Sequence, residues 1–394
     1  LTFPLQDYWL EGQENIQQRK SKPKQNNPYF NVYENLTGFK RNQTMAKLQI
    51  DWEIFKDFSF MARYLTNVID QRNEAKVAWS DYDNSQGAYS IQKSLAKEEN
   101  WEGMFTYNTN IIDGLSLTAN VGGNLRYDYN DAVSNEATQL VLPGLFTISN
   151  GVPGTVSYSS YWGEKAVNSV YGSVSMGYLN MIYLDLTARN DWSSTLPKDN
   201  RSYFYPSTSL SLLINEMVQL PSWINLAKLR SGYAQVGNDV GAYALAQYYA
   251  TANDWGDAKR MYMPGTLRNP ELKPEIATSK EIGLDLSLLN SRINLDATYY
   301  VVDNKNQVLS ISTPTESGAT AKQINAGLVQ GRGWDVSLNA NLVKKGDFSA
   351  DLGLTLTRNR TKIVELAEGI SYYQFGSVGQ VRLRSYVGDD IGDI

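Results

Sequence analysis

Histidine and cysteine are both missing from the 394 residues of this chain. Without them there is no Ser-His-Asp triad, thiol nucleophile, zinc finger, His-ligated metal, haem attachment or disulfide. Long apolar runs are missing as well. No stretch approaches the roughly 18 to 20 apolar residues that a spanning helix needs, so a helical membrane protein is excluded. Nor is there a basic excess: 36 Lys+Arg against 41 Asp+Glu give a formal charge of -5, and no nucleic-acid footprint. The chain opens on Leu1-Thr2-Phe3-Pro4, with neither an initiator Met nor a signal sequence, and stops at Gly392-Asp393-Ile394; it reads as an internal piece of something longer. What is plentiful is aromatic: 26 Tyr within 12% aromatics, a surplus more typical of β-rich proteins than of helix bundles.

The recurring pattern is about ten residues of strict alternation, the strand period of two, broken by turn residues. Leu115, Leu117, Ala119 and Val121 alternate with Ser116, Thr118, Asn120 and Gly122. Ile182, Leu184, Leu186 and Ala188 alternate with Tyr183, Asp185, Thr187 and Arg189. Ile282 to Leu288 and Ile293 to Tyr299 repeat the pattern, as do Trp334 to Leu342 and Phe348 to Leu356. One face is apolar and the other carries charge.

Twelve strands follow, at 44–55, 58–69, 101–112, 115–128, 170–178, 181–191, 204–214, 227–237, 278–288, 292–302, 331–343 and 348–363. Each is near the length that crosses a bilayer as a β-strand. On one side the connections are mostly tight: Lys56-Asp57, Asp113-Gly114, Leu179-Asn180, Leu289-Asn290-Ser291 and Lys344-Lys345-Gly346-Asp347. Gly, Asn and Asp supply their turn chemistry; 215–226 is the exception. On the other side they are mostly long, at 70–100, 129–169, 192–203, 238–277 and 303–330.

A soluble β-sandwich also alternates, but it has no reason to gather its tight turns at one end through twelve strands. A transmembrane antiparallel β-barrel does, with short periplasmic turns and long extracellular loops. The apolar face then meets lipid, and Asp185, Arg189, Asp285, Asp296, Asp335 and Asp351 face water or a plug. Trp101, Tyr127, Tyr129, Tyr178, Trp192, Tyr203, Tyr205, Tyr233 and Trp334 lie near strand ends and suit the headgroup girdles.

Several short runs resemble a known family. They are Asn27-Pro28-Tyr29-Phe30 followed by Lys40-Arg41-Asn42; Leu186-Thr187-Ala188-Arg189-Asn190-Asp191 with Tyr203-Phe204-Tyr205-Pro206-Ser207; Leu229-Arg230-Ser231-Gly232-Tyr233-Ala234-Gln235-Val236-Gly237-Asn238; Asn269-Pro270-Glu271-Leu272-Lys273-Pro274-Glu275; and Asn325-Ala326-Gly327 before Gly331-Arg332-Gly333-Trp334-Asp335. In this order they are similar to the SusC/RagA-type TonB-dependent transporters of Bacteroidetes outer membranes. Pro274 departs from the usual aromatic there, and Gly333-Trp334-Asp335 from the usual Gly-Val-Glu. The resemblance implies that residues 1–394 are a barrel segment, about twelve strands of a 22-stranded barrel, with the plug domain outside this chain. It also implies active import of an oligosaccharide or oligopeptide across the outer membrane. The implied partners are a SusD-like lipoprotein lid, TonB acting through an N-terminal region outside this chain, outer-membrane lipid, and a second transporter–lipoprotein pair forming a dimer.

Aromatics cluster in the long connections. Tyr158, Tyr161, Trp162, Tyr248, Tyr249, Trp255, Tyr372 and Tyr373 are candidate substrate contacts, with Tyr243 and Phe375 nearby, because flat rings with polar tips stack on sugars or grip peptide side chains. The competing reading is that they pack loop on loop or against a lid. Asn253-Asp254-Trp255-Gly256-Asp257 and Gly388-Asp389-Asp390-Ile391-Gly392-Asp393 carry oxygens that could serve calcium, but neither has EF-hand spacing, so solvated turn chemistry is the better reading. Lys228 and Arg230 read as lumen or plug contacts. No catalytic residue, metal ligand or cofactor is assigned, and no enzyme is expected. A pore-less surface all-β glycan-binding protein is the alternative function, and a barrel enzyme relying on carboxylates is a third.

Overall fold

A computed structural model describes residues 5–20, 22–256 and 258–392. A short helix, α1 (Pro28–Tyr33), precedes eight strands: β1 (Leu36–Phe55), β2 (Phe58–Trp79), β3 (Gln86–Ile112), β4 (Leu115–Ala137), β5 (Val156–Tyr178), β6 (Ile182–Ser193), β7 (Ser202–Leu213) and β8 (Ile224–Asn238), with α2 (Ile214–Met217) between the last two. Then come β9 (Ala250–Trp255), β10 (Ala258–Tyr262), β11 (Thr266–Leu267), β12 (Glu275–Leu288), β13 (Ile293–Lys305), β14 (Val308–Ser312), β15 (Ala321–Asn325), β16 (Leu328–Lys345), β17 (Phe348–Glu365), β18 (Tyr372–Val378) and β19 (Val381–Tyr386). Twelve of them form one sheet in the order β1-β2-β3-β4-β5-β6-β7-β8-β12-β13-β16-β17. These are the twelve expected from alternation. Among the described residues no helix is long and apolar enough to cross a membrane, a test that does not bear on strands.

The register puts like with like. An apolar row runs Ile182, Leu212, Leu229, Leu284, Ala297, Val336, Leu356 across seven neighbouring strands. One residue along, Lys228, Asp285, Asp296, Ser337 and Thr355 form a polar row. A slip by one residue in any strand would exchange these rows, so the register is strongly specified. Among the described residues no second sheet covers the leucines: Leu352 is 47% exposed, and Leu354 and Leu356 are 59% exposed. In water such a face would be a large apolar liability; facing hydrocarbon it is what a barrel exterior requires.

The tight turns behave as their residues dictate. Asp57, Gly114, Leu179, Asn180, Leu289, Asn290, Ser291 and Gly346 all take left-handed backbone conformations, which Gly and Asn accept most readily. The opposite connections are shorter than the sequence suggests. The stretch expected as a loop at 70–100 is mostly strand, because β2 continues to Trp79 and β3 starts at Gln86. In the same way β4 runs to Ala137 and β5 begins at Val156. Outside the bilayer both faces of a strand are wet, so pairing persists without the alternation that announces it.

The chain falls into two compact units: Leu1–Leu48 with Tyr64–Asn100 and Arg126–Lys165, and Gln49–Arg63 with Trp101–Leu125 and Ala166–Ile394. The first has a small core of the soluble kind, with Tyr89, Ala137 and Leu140 buried and Trp79, Phe146 and Val156 packed on them. Its N-terminal segment is fastened to the β2–β3 turn: Gln18 Nε2 donates to the Ser80 carbonyl at 2.6 Å and Asn26 Nδ2 to Asp81 Oδ2 at 2.6 Å. Asn27 caps α1, its Oδ1 accepting from the Tyr29 N–H at 2.9 Å, and Phe30, fully buried, meets Trp9 edge-on at 5.3 Å. The Tyr8 hydroxyl donates to Glu34 at 2.8 Å; burial first, then that bond, pushes it up to about 12.

Candidate functional site

The charged face of the second unit is a chain of partners. Arg189 Nε donates to Asp191 Oδ1 at 2.7 Å and its Nη2 to Ser169 Oγ at 2.8 Å. The Tyr205 hydroxyl reaches Asp191 Oδ2 at 2.6 Å. The Arg189 guanidinium also lies over the Tyr171 ring, whose hydroxyl donates to Glu102, and Glu102 pairs with Arg63. Further along, Arg230 bridges Asp285 at 3.1 Å and Asp296 at 2.6 Å, while Lys228 lies 3.6 Å from Asp285. A bare row of carboxylates would repel itself across neighbouring strands, and the interleaved cations remove that repulsion. Lys228 and Arg230 therefore sit on the charged face, as expected. Tyr203 and Tyr205 do not fit the girdle expected of them. Their rings stack at 6.0 Å on the Asp191 side of β7, because Phe204, 59% exposed, takes the outward position between them. Trp101, Tyr178 and Trp334 are exposed at 58%, 42% and 51%.

Two of the recurrent sequence runs turn out to brace the loops. Asn325 Oδ1 accepts from the Lys273 N–H at 2.8 Å, and its Nδ2 donates to the Lys273 and Asn306 carbonyls at 2.9 and 2.8 Å. Asn269-Pro270-Glu271-Leu272-Lys273 and Asn325-Ala326-Gly327 are thus clamped together, with Leu272 and Ala326 almost fully buried. Gly327 has φ +72 and lies so close to the Glu365 backbone that a Cβ would collide with it. Above this brace, β14 pairs with β15 and β15 with β11.

The aromatic candidates divide between the units. Tyr158, Tyr161 and Trp162 lie in the first, at the start of β5, exposed at 73%, 55% and 57%. Strand alternation puts Tyr158 and Trp162 on one face and Tyr161 on the other, so the sequence cluster is not one surface. The others lie in the second unit. Tyr248 and Tyr249 precede the β9–β10 hairpin, and Trp255, 75% exposed, ends β9 with the Arg260 guanidinium 5.9 Å from its ring centroid. Tyr372 sits on the β18–β19 hairpin, where Arg384 stacks 4.3 Å from its ring and Tyr386 meets it at 5.6 Å.

A cavity of about 260 Å³ opens beside that hairpin, lined by Ser310 to Ser312, Gly369 to Gln374, and Arg382. It joins Tyr372 and Tyr373 to groups the sequence reading passed over. The signal was the alternation Val381-Arg382-Leu383-Arg384 opposite Gln374, which places Arg384 on the Tyr372 side of the hairpin. Planar guanidinium beside aromatic rings can hold a carboxylate, a sugar hydroxyl or a peptide carbonyl. Among the described residues no group of three or more acidic side chains could hold a metal ion. Of the two acidic loop pieces, Asp257, Asp393 and the side chains of Asn253 and Asp254 lie outside the described residues, and Asp390 accepts from Arg360 at 2.7 Å.

Comparison with known proteins agrees with this architecture. The family model described as TonB dependent receptor-like, beta-barrel matches residues 3–390. TonB-dependent receptor P26 of Formosa agariphila is 25% identical over 352 residues, covering 86% of this chain and 36% of that protein. TonB-dependent receptor SusC of Bacteroides thetaiotaomicron is 28% identical over 222 residues, 54% of this chain and 22% of SusC. The chain thus matches about a third or less of the length of either relative. Among solved structures, the RagAB peptide transporter superposes with a TM-score of 0.79 at 21% identity, covering 92% of this chain and 40% of that one, a likeness of fold. With an outward apolar face, an inward charged face and a match along nearly its whole length, this chain belongs to the TonB dependent receptor-like β-barrel family of the bacterial outer membrane.

Proposed function

We propose that this chain forms part of the wall of a TonB-dependent importer that carries an oligosaccharide or oligopeptide across the outer membrane. One observation carries the reading: the twelve-strand sheet keeps lipid-compatible side chains on one face and a neutralised, water-compatible ladder of charges on the other, as a transport lumen needs. Residues 1–394 are a segment of a 22-stranded barrel whose plug and TonB-contacting region lie elsewhere in the protein. Tyr158, Tyr161 and Trp162 in the first unit, and Tyr248, Tyr249, Trp255, Tyr372 and Tyr373 in the second, are each candidate substrate contacts. A SusD-like lipoprotein closes over them, and two such pairs associate as a dimer. The exposure of Trp255, Tyr158 and Tyr249 supports rings that await a ligand or a lid rather than rings packed in a core. The cavity beside Tyr372, with its serine, glutamine and arginine lining, supports a polar oligomer as cargo.

Uptake of labelled oligosaccharides and oligopeptides by cells expressing the full-length protein tests this. Uptake of one class should depend on TonB and fall at least tenfold in a strain lacking the protein. Release of the protein from cells in aqueous buffer without detergent would overturn the membrane importer. Alanine substitution of Trp162, Trp255 and Tyr372 that leaves both uptake and binding unchanged would remove the site.

A further inference from the structure

The apolar face of β17 runs from Phe348 through Ala350, Leu352, Leu354 and Leu356, about 26 Å along the strand at ~3.3 Å per residue. That is close to what a tilted strand needs to cross the hydrocarbon band. The next two residues on the same face are Arg358 and Arg360. In the register, Arg358 lies opposite Trp334, which lies opposite Tyr299, and Arg360 lies opposite Arg332. Trp334 and Tyr299 are in ring contact at 4.5 Å and mark the aromatic girdle. Arg358 therefore sits level with the girdle and Arg332 and Arg360 just beyond it, on the outside of the sheet, at the level of the outer-leaflet headgroups.

The charge of Arg332 and Arg358 is poorly met by the protein. Like charges directly opposite on neighbouring strands destabilise a sheet, yet Arg332 and Arg360 are such a pair and Arg358 stands next to both. Asp390 takes Arg360 at 2.7 Å. Asp303, the other carboxylate on this face, is engaged by Gln330 at 2.7 Å and by Lys280 at 3.9 Å. Lys362 adds a further cation opposite Gln330. Arg332 and Arg358 have no acidic partner among the described residues. Together with Tyr299, Gly333, Trp334 and Arg360 they line an open cavity of about 310 Å³, roomy enough for a phosphate group. Guanidinium binds phosphate in a two-pronged fashion, and long cationic side chains at a membrane boundary reach toward headgroups while their stems stay on the apolar wall.

We propose that this outward cavity binds the phosphate of an outer-leaflet lipid headgroup, with Arg332 and Arg358 as its ligands and Arg360 at its edge. A lipid supplies what the site displays in sequence along the strand: an anion for the arginines, then acyl chains for Trp334, Leu356 and Leu354. The inference rests on the outward orientation of this face and not on import, so uptake and lipid binding can fail separately.

The test uses full-length protein, purified in detergent, stripped of lipid and examined by native mass spectrometry with added phosphatidic acid, phosphatidylcholine or inorganic phosphate. Phosphatidic acid should be retained about tenfold better than phosphatidylcholine. The Arg332→Gln/Arg358→Gln double variant should lose that preference, and the Arg332→Lys/Arg358→Lys variant should keep most of it. Arg358→Gln alone should weaken it about threefold, which covers the case in which the double variant does not fold. Heat-modifiable migration on gels reports folding in each. Equal retention of phosphatidic acid by parent and both Gln variants would overturn the proposal, as would equal retention of phosphatidylcholine by the parent. Binding of inorganic phosphate as tight as that of the lipid would make this a free-anion site and overturn the lipid assignment.

Discussion

On the inner face of the β6–β17 part of the sheet Arg189 and Arg230 each meet carboxylates within about 3 Å, whereas on the outer face Arg332 and Arg358 meet none among the described residues. Both sets belong to the same hydrogen-bonded sheet, the first on β6 and β8 and the second on β16 and β17. The difference lies in what surrounds each face. Inside, the protein must neutralise its own charges, because a barrel wall offers them only a shared lumen. Outside, the apolar rows and the arginines beyond them are left to an environment that brings its own hydrocarbon and its own anions.

The largest effect should come from putting charge on the wrong face. Leu352→Arg, near the middle of the apolar band, should cost about 2–4 kcal/mol, while Thr355→Arg on the polar row should cost less than ~0.5 kcal/mol; denaturant unfolding in lipid bilayers measures both. Removing an inner partner comes next. Asp191 is buried, and Asp191→Ala leaves the Tyr205 hydroxyl without its acceptor and Arg189 without its carboxylate, its bond to Ser169 remaining, at about 2 kcal/mol. Arg358→Ala, which strips no protein partner, should change stability by less than ~0.5 kcal/mol in the same assay. Asn325→Ala removes three hydrogen bonds from the loop brace. It should cost about 1–2 kcal/mol and show as faster proteolysis between residues 306 and 325. Trp255→Ala, like Arg358→Ala, should change stability by no more than about 0.5 kcal/mol because the ring is exposed, while cargo binding should weaken by about 1 kcal/mol or more.

The sequence carried the fold where two solvents meet one strand. All twelve strands of the main sheet were legible because lipid and lumen force opposite chemistry onto alternate residues, as in Ile282 to Leu288 and Phe348 to Leu356. The extensions Asp70–Trp79 and Gln86–Asn100 were not, since both of their faces are wet. The pairs β9–β10, β14–β15 and β18–β19 were hidden inside loops for the same reason. Tyr203 and Tyr205 looked like girdle residues by position, and only the pairing with Asp191 shows which way they point. Of the candidate site, the exposed rings could be found from composition. Their arginine neighbours, Arg382 and Arg384, face them across the β18–β19 hairpin, and Ser310 comes from the β14–β15 hairpin, which only the folded chain brings beside it.

The orientation of the sheet is open to direct measurement, because residues 1–394 hold no cysteine to compete with an introduced one, and any cysteine elsewhere in the full-length protein can be replaced by serine. Full-length protein carrying Leu354→Cys or Thr355→Cys, each labelled with an environment-sensitive fluorophore, is reconstituted into vesicles of brominated lipid. The account predicts strong quenching at position 354 and little at 355. Quenching at 355 with none at 354 would contradict it.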